Sequence, residues 1–137
     1  MTKEFVSYTQ ALALKELGFD EDCLARYEGK ITNIFKPLVL EFTFANLPRV
    51  ENKVNYPDYP YKDVEAPTYS QAFRFFREKH NLVFNFISYN IVKPGEYHWS
   101  ITWNDEAKAS GIVKTYEEAE QACLDKLIEI VNNKINR

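Results

Sequence analysis

APTYSQAFRFFREKHNL, residues 66–82, is the stretch whose reading decides the fold. It reads as a short amphipathic helix with a marked start. Pro67 ends what precedes it. Thr68 suits the N-cap, and Gln71, three residues on, closes a capping box. Tyr69, Ala72, Phe73, Phe76 and His80 fall on one stripe, while Arg74, Arg77 and Glu78 point away from it. Phe75 lies about 100° round from Phe76 in a helix of roughly 3.6 residues per turn, so it needs a second packing partner. Asn81 suits the end of the helix.

The same grammar occurs at Ser7–Gln10 and at Thr115–Glu118, giving three helix starts. The first helix is expected over 8–17. Gly18 then supplies a left-handed residue, and Phe19 folds back onto Leu14 in a Schellman ending. The last helix is expected over 116–132, with Ala119, Cys123, Leu127, Ile130 and Val131 as its buried stripe. Its early Glu117, Glu118 and Glu120 suit the positive end of the helix dipole.

Between the helices the pattern changes to a period of two. Residues 38–44 alternate as a half-buried strand. Residues 83–91 are β-branched and aromatic, hence a strand. Lys93-Pro94-Gly95-Glu96 reads as a turn. Tyr97, Trp99, Ile101 and Trp103 alternate with His98, Ser100, Thr102 and Asn104, which predicts one buried and one polar face. Residues 104–111 read as a polar loop and 112–114 as a short third strand. Residues 23–27 are ambiguous between a helical turn and a strand, and 31–35 read as a strand. Residues 46–65 hold Pro48, Pro57 and Pro60 interleaved with Tyr56, Tyr59 and Tyr61. Proline removes ladder donors, so this is read as an irregular loop.

The chain has 137 residues, 45% of them apolar and 15% aromatic, enough for one domain with its own core. A net charge of −3 argues against a generic polyanion binder. Cys23 and Cys123 are too sparse for a disulfide framework and are expected to be reduced. MTKEFVSYTQ lacks the apolar core of a signal peptide, and no apolar run approaches the roughly 20 residues of a membrane span. A cytoplasmic protein that does not enter a membrane is the expectation.

No catalytic or metal-binding pattern stands out. The histidines are His80 and His98, and neither they nor the cysteines show ligand spacing. His98 and Ser100 share a strand face, but spacing alone does not make a nucleophile and base. With four glycines there is no phosphate-binding loop, and no cofactor is implied. Arg74 and Arg77 are the candidates for phosphate contact, beside Lys79. Tyr56, Tyr59 and Tyr61 are the candidates for partner binding, because tyrosines on a semi-rigid segment make contact area at low entropy cost.

From the second helix onward the order is α-β-β-β-α, which resembles the double-stranded RNA-binding domain. SGIVKTYEEAE, residues 110–120, falls where that family has its third strand and the start of its last helix. The family places phosphate-gripping lysines there, and this chain has Tyr116, Glu117, Glu118 and Glu120. The resemblance therefore implies a shape and does not carry over RNA binding. VSYTQALALKELGFDEDCLARYEG, APTYSQAFRFFREKHNL and TYEEAEQACLDKLIEIV together resemble a group of small uncharacterised proteins of Bacteroides-type gut bacteria and their phages and prophages. That resemblance implies a biological setting and no mechanism.

The expectation is one α+β domain over 1–137. A three-stranded antiparallel sheet packs on two helices in the α-β-β-β-α unit of 66–137. An N-terminal α-β-β extension occupies 1–45 and a Tyr/Pro-rich loop 46–65. The extension lengthens that sheet or forms a second layer. The expected function is a non-enzymatic accessory or protein-interaction module, monomeric or homodimeric, acting on a protein partner. The alternative is a nucleic-acid binder.

Overall fold

The computed structural model describes residues 2–28, 39–42, 63–84, 88–89, 91–103 and 106–135. The chain is α+β, with three α-helices and two antiparallel sheets among these residues.

Helix α1, Tyr8–Glu16, starts on a full capping box between Ser7 and Gln10. Its end is a Schellman motif. The Phe19 N–H donates to the Leu14 carbonyl at 3.0 Å and the Gly18 N–H to that of Lys15 at 3.1 Å, with Gly18 at φ +98°. A single 3₁₀ turn, Thr2–Glu4, precedes it.

Strands β1 (Ala25–Glu28), β2 (Val39–Phe42) and β3 (Val64–Ala66) form a sheet in the order β2-β1-β3. The extension thus has its own sheet. Residues 64 and 65, expected at the end of the loop, belong to β3. Val64 and Ala66 are buried, and Ala66 pairs with Ala25 across the ladder. Three residues ahead of a proline are too few to show a period; pairing with β1 makes them a strand. The expected strand at 31–35 lies outside the described residues.

Helix α2, Tyr69–His80, begins on the Thr68–Gln71 capping box. Asn81 ends it in the left-handed region at φ 55°, where the short polar side chain is tolerated. Phe76 is fully buried, and Tyr69, Ala72 and Phe73 lie on the same face. Phe75 is also buried, its ring 5.6 Å from that of Phe19 in an edge-to-face contact. The second partner of Phe75 is therefore the end of α1, and this pair joins the two parts of the fold.

The second sheet contains β4 (Leu82–Phe84), β5 (Ser88–Tyr89), β6 (Tyr97–Trp103) and β7 (Glu106–Val113). Both β4 and β5 pair with one side of β6, at its two ends; β7 pairs with the other side. The stretch expected as a polar loop at 104–111 is largely β7. Its residues are mostly exposed and few are β-branched, so the sequence reads as loop, and the ladder to β6 decides the matter. The Ile101/Thr102 pairing with Ala109 and Ala107 leaves Lys108 as the extra residue of a bulge.

Trp99 and Ile101 are buried on the helix side of β6, as the alternation predicts. Gly111 lies directly opposite Trp99. A Cβ there would sit 2.5 Å from Trp99 Nε1, so only glycine lets the indole lie across the strand. Helix α3, Tyr116–Ile135, covers β6 and β7 and also packs on α2 and α1. Ala119, Cys123, Leu124, Leu127 and Val131 are its buried stripe, with Ile128 beside them. Each of the larger aliphatic side chains stabilises the fold by about 1.5–3 kcal/mol relative to exposure.

Candidate functional site

The β5–β6 hairpin end of the second sheet concentrates exposed apolar groups. β5 stops at Tyr89, which pairs with Tyr97, and a turn over residues 91–96 follows. Ile91 and Val92 in that turn are 84% and 85% exposed. Around them Tyr89 is about half exposed, its ring 5.1 Å from Tyr97. Tyr97 in turn meets Tyr116 at the start of α3, ring centres 6.4 Å apart. On the other face of the sheet Ile112, opposite His98, is exposed. The turn is held in shape by the Gly95 N–H, which donates to the Tyr89 hydroxyl at 3.2 Å. A single exposed aliphatic residue means little, but two adjacent ones in one turn, beside exposed Tyr89, mark a candidate contact surface. By its sequence pattern Ile91 belongs to the strand expected over 83–91, and Val92 falls between that strand and the turn at 93–96. The signal was there in two aliphatic residues set directly before Lys93-Pro94-Gly95.

A second polar assembly lies where the helices meet. Gln10, buried to 4% exposure, caps its own helix and also reaches the other two. Its Nε2 donates to Asp125 Oδ1 at 2.9 Å and to the Gln121 carbonyl at 3.3 Å, and its Oε1 accepts from the Tyr69 hydroxyl at 3.2 Å. Burial, with Glu120 and Asp125 nearby, pushes the Tyr69 phenol up to about 12. Glu120, on the adjoining turn of α3, is partly buried. Burial first, then the negative charges of Glu117 and Glu4, push its carboxyl up to about 7. The dipole reading of the α3 start fits Glu118, whose carboxylate accepts the Lys114 N–H at 3.2 Å. It does not describe Glu120, which burial and like charges dominate.

The sequence candidates fall as follows. Tyr56, Tyr59 and Tyr61 lie outside the described residues. Arg74 and Arg77 are both exposed on α2, but the Arg74 guanidinium is held by Glu21 at 2.9 Å. His98 Nε2 stands 3.7 Å from Glu96 Oε2, beyond hydrogen-bond reach, on a partly exposed sheet face. Cys23 and Cys123 are free and buried, and burial pushes the Cys123 thiol up to about 12, far from a reactive thiolate. Among the described residues no group of three or more His, Cys, Asp or Glu could hold a metal ion, and no helix is long and apolar enough to cross a membrane.

No family model, curated protein or solved structure matches this chain.

Proposed function

We propose that this chain is a small non-enzymatic protein-interaction module, an accessory protein of phage or prophage type that works in the cytoplasm of Bacteroides-like hosts. The setting rests on the sequence resemblance of the three helical stretches. The binding role rests on one observation: the exposed Ile91 and Val92 in the turn between β5 and β6, next to the half-exposed Tyr89. A convex apolar turn fits a partner that offers an apolar cleft, with Ile91 and Val92 as the anchors. The Tyr56–Tyr61 segment is a second contact surface in this reading.

The arrangement of the C-terminal part is read as similar to the double-stranded RNA-binding domain. What supports this is the run of β4 and β5 along one side of β6, with β7 on the other and α2 and α3 before and after. The added β3 ahead of α2 and the separate first sheet distinguish the chain from that domain alone. Nucleic-acid binding is not part of the proposal, because Arg74 is engaged by Glu21 and the α3 start carries Glu117, Glu118 and Glu120.

The test is capture from host lysate, with and without phage infection, by the wild type and by an I91D/V92D variant. These side chains are outside the core, so stability is expected to change by less than about 0.5 kcal/mol. A partner held by the wild type through about 1 M salt, and lost from the variant, is the expected result, since apolar contact is not screened. An identical captured set from both proteins refutes the reading. So does tight nucleic-acid binding that weakens steeply with salt. A Y56A/Y59A/Y61A variant separates the contribution of the loop.

A further inference from the structure

Three tyrosine rings stand in a row at one end of the second sheet. Tyr89 and Tyr97 are directly paired across β5 and β6, so both side chains lie on one face, the face on which Trp99 and Ile101 are buried. Their ring centres are 5.1 Å apart and the rings are inclined at 58°. Tyr116, the first residue of α3, continues the row: its ring meets that of Tyr97 edge to face, 6.4 Å away at 85°. Both ends of the row are open, with Tyr89 47% and Tyr116 46% exposed. Among the described residues no hydrogen bond holds the Tyr97 or Tyr116 hydroxyl. Charge is uneven along the row. Glu117 and Glu118 are exposed directly after Tyr116, and no ion pair neutralises either among the described residues. Lys114 precedes them, and Lys93 stands in the turn at the Tyr89 end. The Tyr116 phenol is pushed up, first by burial and then by Glu120 and Glu117, as a negative surrounding requires.

We propose that this row is the docking surface for a proline-rich segment of a protein partner, bound as a polyproline II helix with a basic residue against the start of α3. The inference rests on the reading of the chain as an interaction module, and it does not need Ile91 and Val92 as the anchors. Polyproline II advances about 3.1 Å per residue, so each step of the row is close to two residues of such a segment. Proline rings pack on tyrosine faces, and the segment's carbonyls, which have no internal partners, accept from tyrosine hydroxyls. Such a segment is already extended when free, so little ordering entropy is lost on a surface this small. Charge complementarity sets the direction. The Glu117 and Glu118 carboxylates attract a lysine or arginine past Tyr116, while Lys93 repels one at the other end. The same carboxylates disfavour an anionic membrane surface or a nucleic acid as the occupant.

Fluorescence anisotropy of a labelled polyproline peptide ended by an Arg-Arg pair, titrated with the intact chain, tests this. Saturable binding that weakens with salt is expected. A glycine-serine peptide with the same arginines should bind about tenfold more weakly, since it offers no prolines and must be ordered. Tyr116→Leu keeps apolar bulk and removes the ring at the open end; affinity should fall about tenfold, with the urea midpoint showing that the fold is intact. E117Q/E118Q keeps the helix start, because glutamine also closes a capping box, and should remove most of the salt dependence. I91S/V92S should bind the peptide as the wild type does. No saturable binding, an equally bound glycine-serine peptide, or wild-type behaviour of both Tyr116→Leu and E117Q/E118Q overturns the proposal. Peptide binding lost in I91S/V92S alone also overturns it and leaves the anchor reading standing. Peptide binding as expected, together with unchanged host capture by I91D/V92D, overturns the anchors and leaves this surface.

Discussion

Gly111→Ala is the sharpest test of how β6 and β7 fit together. The added methyl would meet Trp99 Nε1 at 2.5 Å, Cε2 at 2.6 Å and Cζ2 at 2.7 Å. All three atoms belong to one rigid fused ring, so the contact is relieved only by moving the whole indole or the strand. The ring is 8% exposed and packs in the core, which denies it an open direction of retreat. Relieving the contact means moving the indole or the strand by about 1 Å, an overpacking penalty of about 1–3 kcal/mol. Against it, alanine gains about 0.5–1 kcal/mol through the lower entropy of the unfolded chain. The net expectation is a loss of about 1–2 kcal/mol, read as a lower urea midpoint at unchanged slope. Trp99→Phe removes Nε1 and Cζ2, so Gly111→Ala should be close to neutral in that background, with a coupling of about 1 kcal/mol in the double-mutant cycle. A Gly111→Ala protein as stable as the wild type, or a cycle without coupling, would refute the argument that glycine is required by the indole.

Gln10→Ala removes the acceptor of the buried Tyr69 hydroxyl and a donor to Asp125; a loss of about 1–2 kcal/mol in chemical denaturation is expected. His80 is held below its ordinary value of 6.5, first by burial and then by Lys134. Its ring protons should therefore titrate below pH 6.5 by NMR, and Lys134→Ala should move the midpoint part of the way back. Because the neutral ring is the form the fold accepts, His80 contributes stability that is present above pH 6.5 and lost as the pH falls, opposite in sign to Glu120.

What could be read from sequence depended on how local its cause was. The Ser7–Gln10 and Thr68–Gln71 boxes close within one turn, so both helix starts are visible as spacing alone. The same holds for the Schellman ending at Gly18 and for the alternation through β6. The off-stripe position of Phe75 correctly demanded a partner, and that partner is Phe19. Distant causes left no mark. The strand character of β7 comes from β6, and that of β3 from β1. Gln10 reads as a capping residue, yet its other end bonds a side chain 115 positions away. Glu120 looks like one of several dipole-suited glutamates, yet it is the one that the fold partly buries. At the candidate site, Ile91 and Val92 fit a strand pattern by composition; only the register, which ends at Tyr89, turns them outward.

The bulge at Lys108 has a bearing on how this chain behaves in crowded solution. Among the described residues β7 is the longest strand and pairs on one side only. A row of eight residues with an open flank would ordinarily template another chain and seed aggregates. The extra residue breaks that row after Ala107, and its ammonium, paired with Glu106 at 3.2 Å and 5.0 Å from the Trp103 ring, sets charged groups beside the break. Two short segments make a poorer template for an intermolecular sheet than one continuous row. The irregularity that hid the strand from a sequence reading is thus also one of the devices that blunt an open sheet edge.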